Sequence, residues 1–128
     1  MTIREVSEKF GITQDALRYY EKVGMIPPVT RTPGGIRDYS EEDLKWVELA
    51  KCMRGAGLPV EALTEYVKLF RQGDETIPAR LSLLQAQRSA LLEQQRKVTE
   101  TLVRLEYKIS RYERAMETGE LSWNAEGE

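Results

Sequence analysis

Apolar residues recur along this 128-residue chain at helical spacing, and glycines and prolines punctuate the pattern. Near the start, Ile3, Val6 and Phe10 share one helix face. Thr2-Ile3-Arg4-Glu5 opens that helix as a capping box, with Thr2 at the N-cap and Glu5 three residues on, and Gly11 closes it. Thr13 then caps a second helix carrying Ala16, Leu17, Tyr20 and Val23, which stops at Gly24. Two short helices joined by a tight turn containing glycine make a helix-turn-helix pattern. The second helix of such a motif is the one that enters a DNA major groove.

Met25-Ile26-Pro27-Pro28 breaks the helical rhythm, because two consecutive prolines force extended backbone. Val29-Thr30-Arg31 and Ile36-Arg37-Asp38-Tyr39 flank Thr32-Pro33-Gly34-Gly35, a β-hairpin signal that predicts a wing. Ser40 followed by Glu41, Glu42 and Asp43 caps a third helix, with three acids at its positive end. The apolar side of that helix carries Trp46, Leu49, Ala50 and Met53, and it ends near Gly55-Ala56-Gly57. Pro59 starts a fourth helix containing Leu63, Val67 and Phe70, closed by Gly73.

The last pattern is the most regular. Spacings of four and three alternate through Ile77, Leu81, Leu84, Arg88, Leu91, Gln95, Val98, Leu102, Leu105, Ile109, Tyr112 and Met116. All but Arg88 and Gln95 are apolar, which predicts a coiled-coil seam over more than five heptads. At 1.5 Å per residue, forty such residues make a rod of roughly 60 Å, too long to fold back on the preceding core. A second copy of the chain is the simplest partner. The expected organisation is a mostly α fold: residues 1–75 a winged helix-turn-helix domain, 76–117 a coiled-coil dimerisation helix, and 118–128 a flexible acidic tail.

Composition narrows the chemistry. No 18-residue apolar run spans a membrane, and the first ten residues lack the apolar core of a signal peptide. One cysteine and no histidine exclude the usual zinc and iron–sulfur ligand sets within one chain, and remove the commonest general base. No metal, no cofactor and no catalytic constellation is expected, and a reducing, cytoplasmic setting fits the single thiol. The net charge of −2 is not that of a strongly basic DNA binder. By segment, the net is +1 over 1–39, −3 over 40–75, +3 over 76–117 and −3 beyond, so a DNA-binding role has to rest on local arrangement.

That arrangement is specific. The residues Ile3-Arg4-Glu5-Val6, Gly11-Ile12-Thr13, Leu17-Arg18-Tyr19-Tyr20-Glu21-Lys22-Val23-Gly24-Met25-Ile26-Pro27, Arg31, and Gly35-Ile36-Arg37-Asp38-Tyr39-Ser40-Glu41-Glu42-Asp43-Leu44 strongly resemble the MerR family of bacterial regulators over about the first seventy positions. Ile36 stands where the family often has an aromatic residue. The resemblance implies a homodimer joined by antiparallel packing of the last helix. It also implies binding to near-palindromic promoter DNA with an overlong spacer, which the dimer bends and untwists so that RNA polymerase engages both promoter elements. That is readout of DNA shape rather than of base edges alone.

Within that frame the candidate DNA contacts are Thr13, Gln14, Ala16, Arg18, Tyr19 and Lys22 on the recognition helix, and Arg31, Arg37 and Tyr39 on the wing. A guanidinium pairs bidentately with guanine or clamps a phosphate, and a tyrosine hydroxyl reaches a phosphate oxygen. Tyr20, in step with Leu17 and Val23, is expected in the core. The dimerisation candidates are Leu81, Leu84, Leu91, Val98, Leu102, Leu105, Ile109 and Tyr112. The chain lacks the cysteines of metal-sensing and iron–sulfur relatives and a large ligand domain. In size and in one cysteine on the third helix it is similar to the NmlR/AdhR-type subgroup, linked to aldehyde and thiol stress. That makes Cys52 a candidate thiol sensor for a small electrophile, with Lys51 and Arg54 the nearby cations that would favour thiolate. The competing readings are a buried filler at Cys52, a regulator with a non-thiol effector, and a coiled-coil interaction protein.

Overall fold

The computed structural model describes residues 1–123. Its helices are α1 (Ile3–Phe10), α2 (Gln14–Val23), α3 (Glu41–Gly55), α4 (Val60–Gln72) and α5 (Ile77–Thr118), with one 3-10 turn, Asp74–Thr76, ahead of α5. The chain divides into two compact units after Gln87. The first eleven residues of α5 therefore belong with the N-terminal unit, beyond the boundary expected at residue 75.

Side chains start the first three helices where the sequence predicts. Glu5 N donates to Thr2 Oγ1 at 3.1 Å, and Thr2 N donates back to Glu5 Oε1 at 2.8 Å. Ala16 N donates to Thr13 Oγ1 at 3.0 Å, and Asp43 N to Ser40 Oγ at 3.1 Å. Each such cap satisfies an amide that the helix cannot, and is worth about 1 kcal/mol. Gly24 ends α2 at φ 86°, a left-handed conformation that a Cβ disfavours. The reversal lets Met25 N donate to Tyr20 O at 2.9 Å and carries Met25 and Ile26 inward.

The core joins Val6, Ile12, Leu17, Met25, Ile26, Val29, Tyr39, Val47, Ala50 and Leu63. Tyr20 and Val23 pack against it, as their step with Leu17 requires. On α3 the buried stripe is Val47 and Ala50, flanked by Leu44, Trp46 and Met53. α4 contributes Ala62, Leu63 and Val67. Phe70, expected among them, is exposed and stands edge-on to Trp46 at 4.9 Å between ring centroids. Leu83, Leu84 and Gln87 of α5 enclose a cavity of about 10 Å³ with Met53, Leu58, Ala62, Leu63 and Tyr66, too small to matter as a binding site. Thr76 Oγ1 lies 2.6 Å from Leu69 O and 2.8 Å from Gly73 O, so its one hydroxyl proton is shared by two carbonyls at the end of α4.

The wing is less regular than a hairpin of two strands. Among the described residues its ladder is one isolated antiparallel bridge, Arg31 to Arg37. Thr32 N donates to Ile36 O at 2.8 Å across a turn in which Gly35 takes φ 86°. Asp38 N donates to Thr30 O at 2.7 Å, but the ladder stops there because the Thr30 amide does not return the bond. Val29 N donates to Glu21 Oε2 at 2.9 Å and Thr30 N to Asp43 Oδ2 at 3.0 Å.

In the second unit no residue of α5 is buried. The seam side chains Leu91, Val98, Leu102, Leu105, Ile109 and Tyr112 are between 39% and 59% exposed. The start of the expected flexible tail is folded: Arg111 donates to Ser122 O and Oγ, both at 2.7 Å, and Trp123 stands edge-on to Tyr112 at 5.9 Å. A bidentate arginine and an aromatic contact hold this segment, which the acidic composition did not suggest. Residues 124–128 of that tail lie outside the described residues.

Candidate nucleic-acid interface

Two elements carry the candidate DNA-contacting residues, α2 and the wing. On α2, Tyr19 is 49% exposed and Arg18 and Lys22 are exposed beside it. Arg18 is braced along its own helix, donating to Asp15 Oδ1 at 3.1 Å and to Gln14 Oε1 at 3.4 Å. Thr13 is exposed, and its hydroxyl already accepts from Ala16 N. Ala16 itself is half-buried and packs against the core, so its methyl leans inward rather than toward a base edge.

The wing arginines converge on one acid of α2. Arg37 Nε donates to Glu21 Oε1 at 2.8 Å, and Arg31 lies 3.4 Å from the same oxygen. Arg31 also donates to Gly35 O at 3.2 Å, bracing the wing turn. The Glu21 side chain is only 11% exposed. Burial alone would push its carboxyl up, but the Val29 amide and the two guanidinium groups hold it below the usual carboxylate range. Asp43 repeats the device at the other end of the segment. Burial opposes its ionisation, yet amide donation from Ser40 (2.9 Å) and Thr30 keeps its carboxyl below the ordinary value.

Tyr39 corrects the expected set. Its ring lies in the core with 2% of the residue exposed, and Tyr39 N donates to Met1 O at 2.7 Å. The hydroxyl is buried and has no hydrogen-bond partner among the described residues, and burial pushes its pKa up. A side chain enclosed in this way does not reach a phosphate. The alternation along Ile36-Arg37-Asp38-Tyr39 puts Arg37 and Tyr39 on one side of an extended segment, and that side faces Glu21 and the core.

Glu21 and Asp43, which take the amides and arginines of the wing segment, are not singled out by the sequence alone. Asp43 had a local signal, its place at the third position of a capped helix. Glu21 bonds residues 8 to 16 positions away, a separation that no periodicity encodes. Cys52 is exposed on α3. Its neighbouring cations are committed elsewhere: Lys51 Nζ donates to Phe10 O at the end of α1, and Arg54 to Leu58 O at 2.6 Å. Among the described residues no three His, Cys, Asp or Glu side chains gather as a metal site, and no helix is long and apolar enough to cross a membrane.

Residues 1–69 match the model of the MerR HTH family regulatory proteins. The HTH-type transcriptional regulator AdhR of Bacillus subtilis (strain 168) is 56% identical over 93 residues, which cover 73% of this chain and 66% of that relative. The crystal structure of a MerR family transcriptional regulator from Listeria monocytogenes superposes with a TM-score of 0.88 at 42% identity, covering 93% of this chain and 90% of that one. HiNmlR, a MerR family regulator lacking the sensor domain and bound to promoter DNA, superposes with a TM-score of 0.84 at 32% identity, covering 94% and 95%. With its capped helix pair, its wing and its long last helix, the chain belongs to the MerR family of helix-turn-helix transcriptional regulators, within the NmlR/AdhR-type group.

Proposed function

We propose that this chain is a homodimeric regulator that binds promoter DNA through α2 and the wing and controls transcription by distorting the spacer that RNA polymerase must read. The observation that carries the reading is the pairing of an exposed Arg18–Tyr19–Lys22 face on α2 with wing arginines anchored to the same helix at Glu21. The second helix of such a motif lies in the major groove, and arginines beside it meet flanking phosphates. DNA-bound HiNmlR supports the same use of this fold. The exposed heptad row of α5, including Leu102, Leu105 and Ile109, fits an antiparallel coiled coil between two copies. The protein acts in this reading as a cytoplasmic regulator and not as an enzyme.

Footprinting on the DNA upstream of the chain's own gene tests it. The expected result is protection of a near-palindromic site within an overlong promoter spacer, with hypersensitive positions at its centre. Binding that is neither salt-sensitive nor sequence-preferring would overturn the reading in favour of a coiled-coil interaction protein.

A second reading concerns the signal. The exposed Cys52 thiol is open to a small electrophile, whose addition would place a new group on α3. Lys51 and Arg54 each bond a backbone carbonyl, Phe10 O and Leu58 O, rather than the thiol itself. A Cys52→Ser variant in a promoter reporter tests this: loss of the response to an aldehyde or a nitrosothiol supports thiol sensing, and a full response assigns the signal to a different effector.

A further inference from the structure

We propose that Glu21 is a positioning residue for DNA binding: its carboxylate ties the wing to the recognition helix and presents Arg37 to the phosphate backbone. The proposal rests on the DNA-binding reading above and adds a role for an acid that charge alone would count against it. Glu21 Oε2 takes the Val29 amide at 2.9 Å, which fixes the entry of the wing. Glu21 Oε1 takes Arg37 Nε at 2.8 Å, which fixes one edge of the guanidinium. A guanidinium carries five N–H donors, and this bond uses one of them. Arg37 makes no other hydrogen bond among the described residues, which leaves its terminal nitrogens for phosphate oxygens. Arg31 shares the same carboxylate and braces the wing turn at Gly35. Two arginines around one carboxylate keep a net positive charge while losing the freedom that an unanchored side chain would have to give up on binding.

Two physical pictures oppose each other here. If Glu21 only adds negative charge near phosphate, its neutralisation tightens DNA binding. If Glu21 orders the wing, its neutralisation weakens binding, because Arg31 and Arg37 lose their anchor. Glu21→Gln separates them, since the amide keeps the shape and an acceptor for Val29 N but loses the charge-assisted hold on arginine.

The experiment is fluorescence anisotropy of the full chain with a duplex from its own upstream region and with a scrambled duplex, across a salt series. The expected result is a dissociation constant about ten-fold higher for Glu21→Gln on both duplexes, with the slope of log K against log salt reduced by about one. Arg37→Gln, which keeps Glu21 and its bond to Val29, is expected to show the same loss, and the double variant to add little to either. Unchanged or tighter binding by Glu21→Gln overturns the proposal alone, provided the wild type binds. If Glu21→Gln fails to fold by circular dichroism, Arg37→Gln decides: a salt slope equal to the wild type overturns the proposal. A wild type with no salt-sensitive binding overturns both this proposal and the reading on which it rests.

Discussion

Replacing Tyr39 with phenylalanine should make the protein more stable and leave DNA binding intact. The ring is wholly inside the core, packed with residues of α1, α2 and α3, and the substitution keeps it there. Only the hydroxyl goes, and that hydroxyl is buried without a partner among the described residues. Burying an unbonded hydroxyl costs on the order of 1–3 kcal/mol in proteins. At the low end of that range, a gain of about 1 kcal/mol is expected. For a unit of this size such a gain raises Tm by about 5 °C. The assay is thermal unfolding by circular dichroism at one fixed protein concentration, because the stability of a dimer depends on concentration. Anisotropy with the upstream duplex completes it. A lower Tm would mean that the hydroxyl is bonded in the folded protein. A several-fold loss of affinity at unchanged Tm would mean that Tyr39 reaches DNA, as its place in the wing motif first suggested. Either result would refute the reasoning.

Other outcomes follow from the same contacts. Asp43→Ala removes the acceptor for both Ser40 N and Thr30 N, leaving two partly buried amides unpaired, and should cost about 2 kcal/mol by urea unfolding. The carboxyls of Glu21 and Asp43 lie below their ordinary values of 4.5 and 3.8 when folded. Their contribution is therefore complete above those values and is lost as pH falls through the lower, folded ones; urea midpoints should be flat near neutrality and fall from about pH 5 downward, and the Glu21→Gln and Asp43→Asn variants should each show a shallower fall. Leu102→Lys places a charge in the seam of α5 and should shift the protein from dimer to monomer in sedimentation velocity at micromolar concentration, with loss of DNA binding. Trp123→Ala removes the ring that stands on Tyr112 and Tyr107, and should change the near-ultraviolet circular dichroism of the tyrosines without altering affinity for DNA.

Much of the fold is legible because it is local. The caps at Thr2, Thr13 and Ser40 act within three residues, and the glycine stops at Gly11 and Gly24 within four. The face shared by Leu17, Tyr20 and Val23 follows from helical spacing alone. What was not legible is set by contacts between distant segments. Met25, Ile26 and Val29 are buried although they sit in an irregular loop with no period to mark an inward face. Tyr39 reads in the sequence as a wing hydroxyl available to a phosphate, whereas contacts from distant segments, Tyr39 N to Met1 O among them, draw its ring into the core. The wing's ladder is cut short for the same reason: the Thr30 amide goes to the Asp43 carboxylate and does not pair across the wing.

The acids that weigh against a DNA-binding role in the net charge are the ones that order the candidate surface. Asp15 braces Arg18, Glu21 gathers Arg31 and Arg37, and Asp43 fixes the segment between α2 and α3 by taking the Thr30 amide. A carboxylate that accepts two or three bonds inside the protein still contributes its full charge to the net value, but it acts on ligand mainly through the groups it orders. Net charge sums over all positions with equal weight, whereas a phosphate backbone responds steeply to the charges within a Debye length of about 10 Å. Near α2 and the wing the cations are Arg18, Lys22, Arg31 and Arg37; Asp15 and Glu21 are held to these arginines, Glu21 and Asp43 to backbone amides, and Asp38 to the N-terminal ammonium of Met1. An acidic chain can in this way keep a cationic, pre-ordered face, and the test at Glu21 asks whether that ordering outweighs the charge it costs.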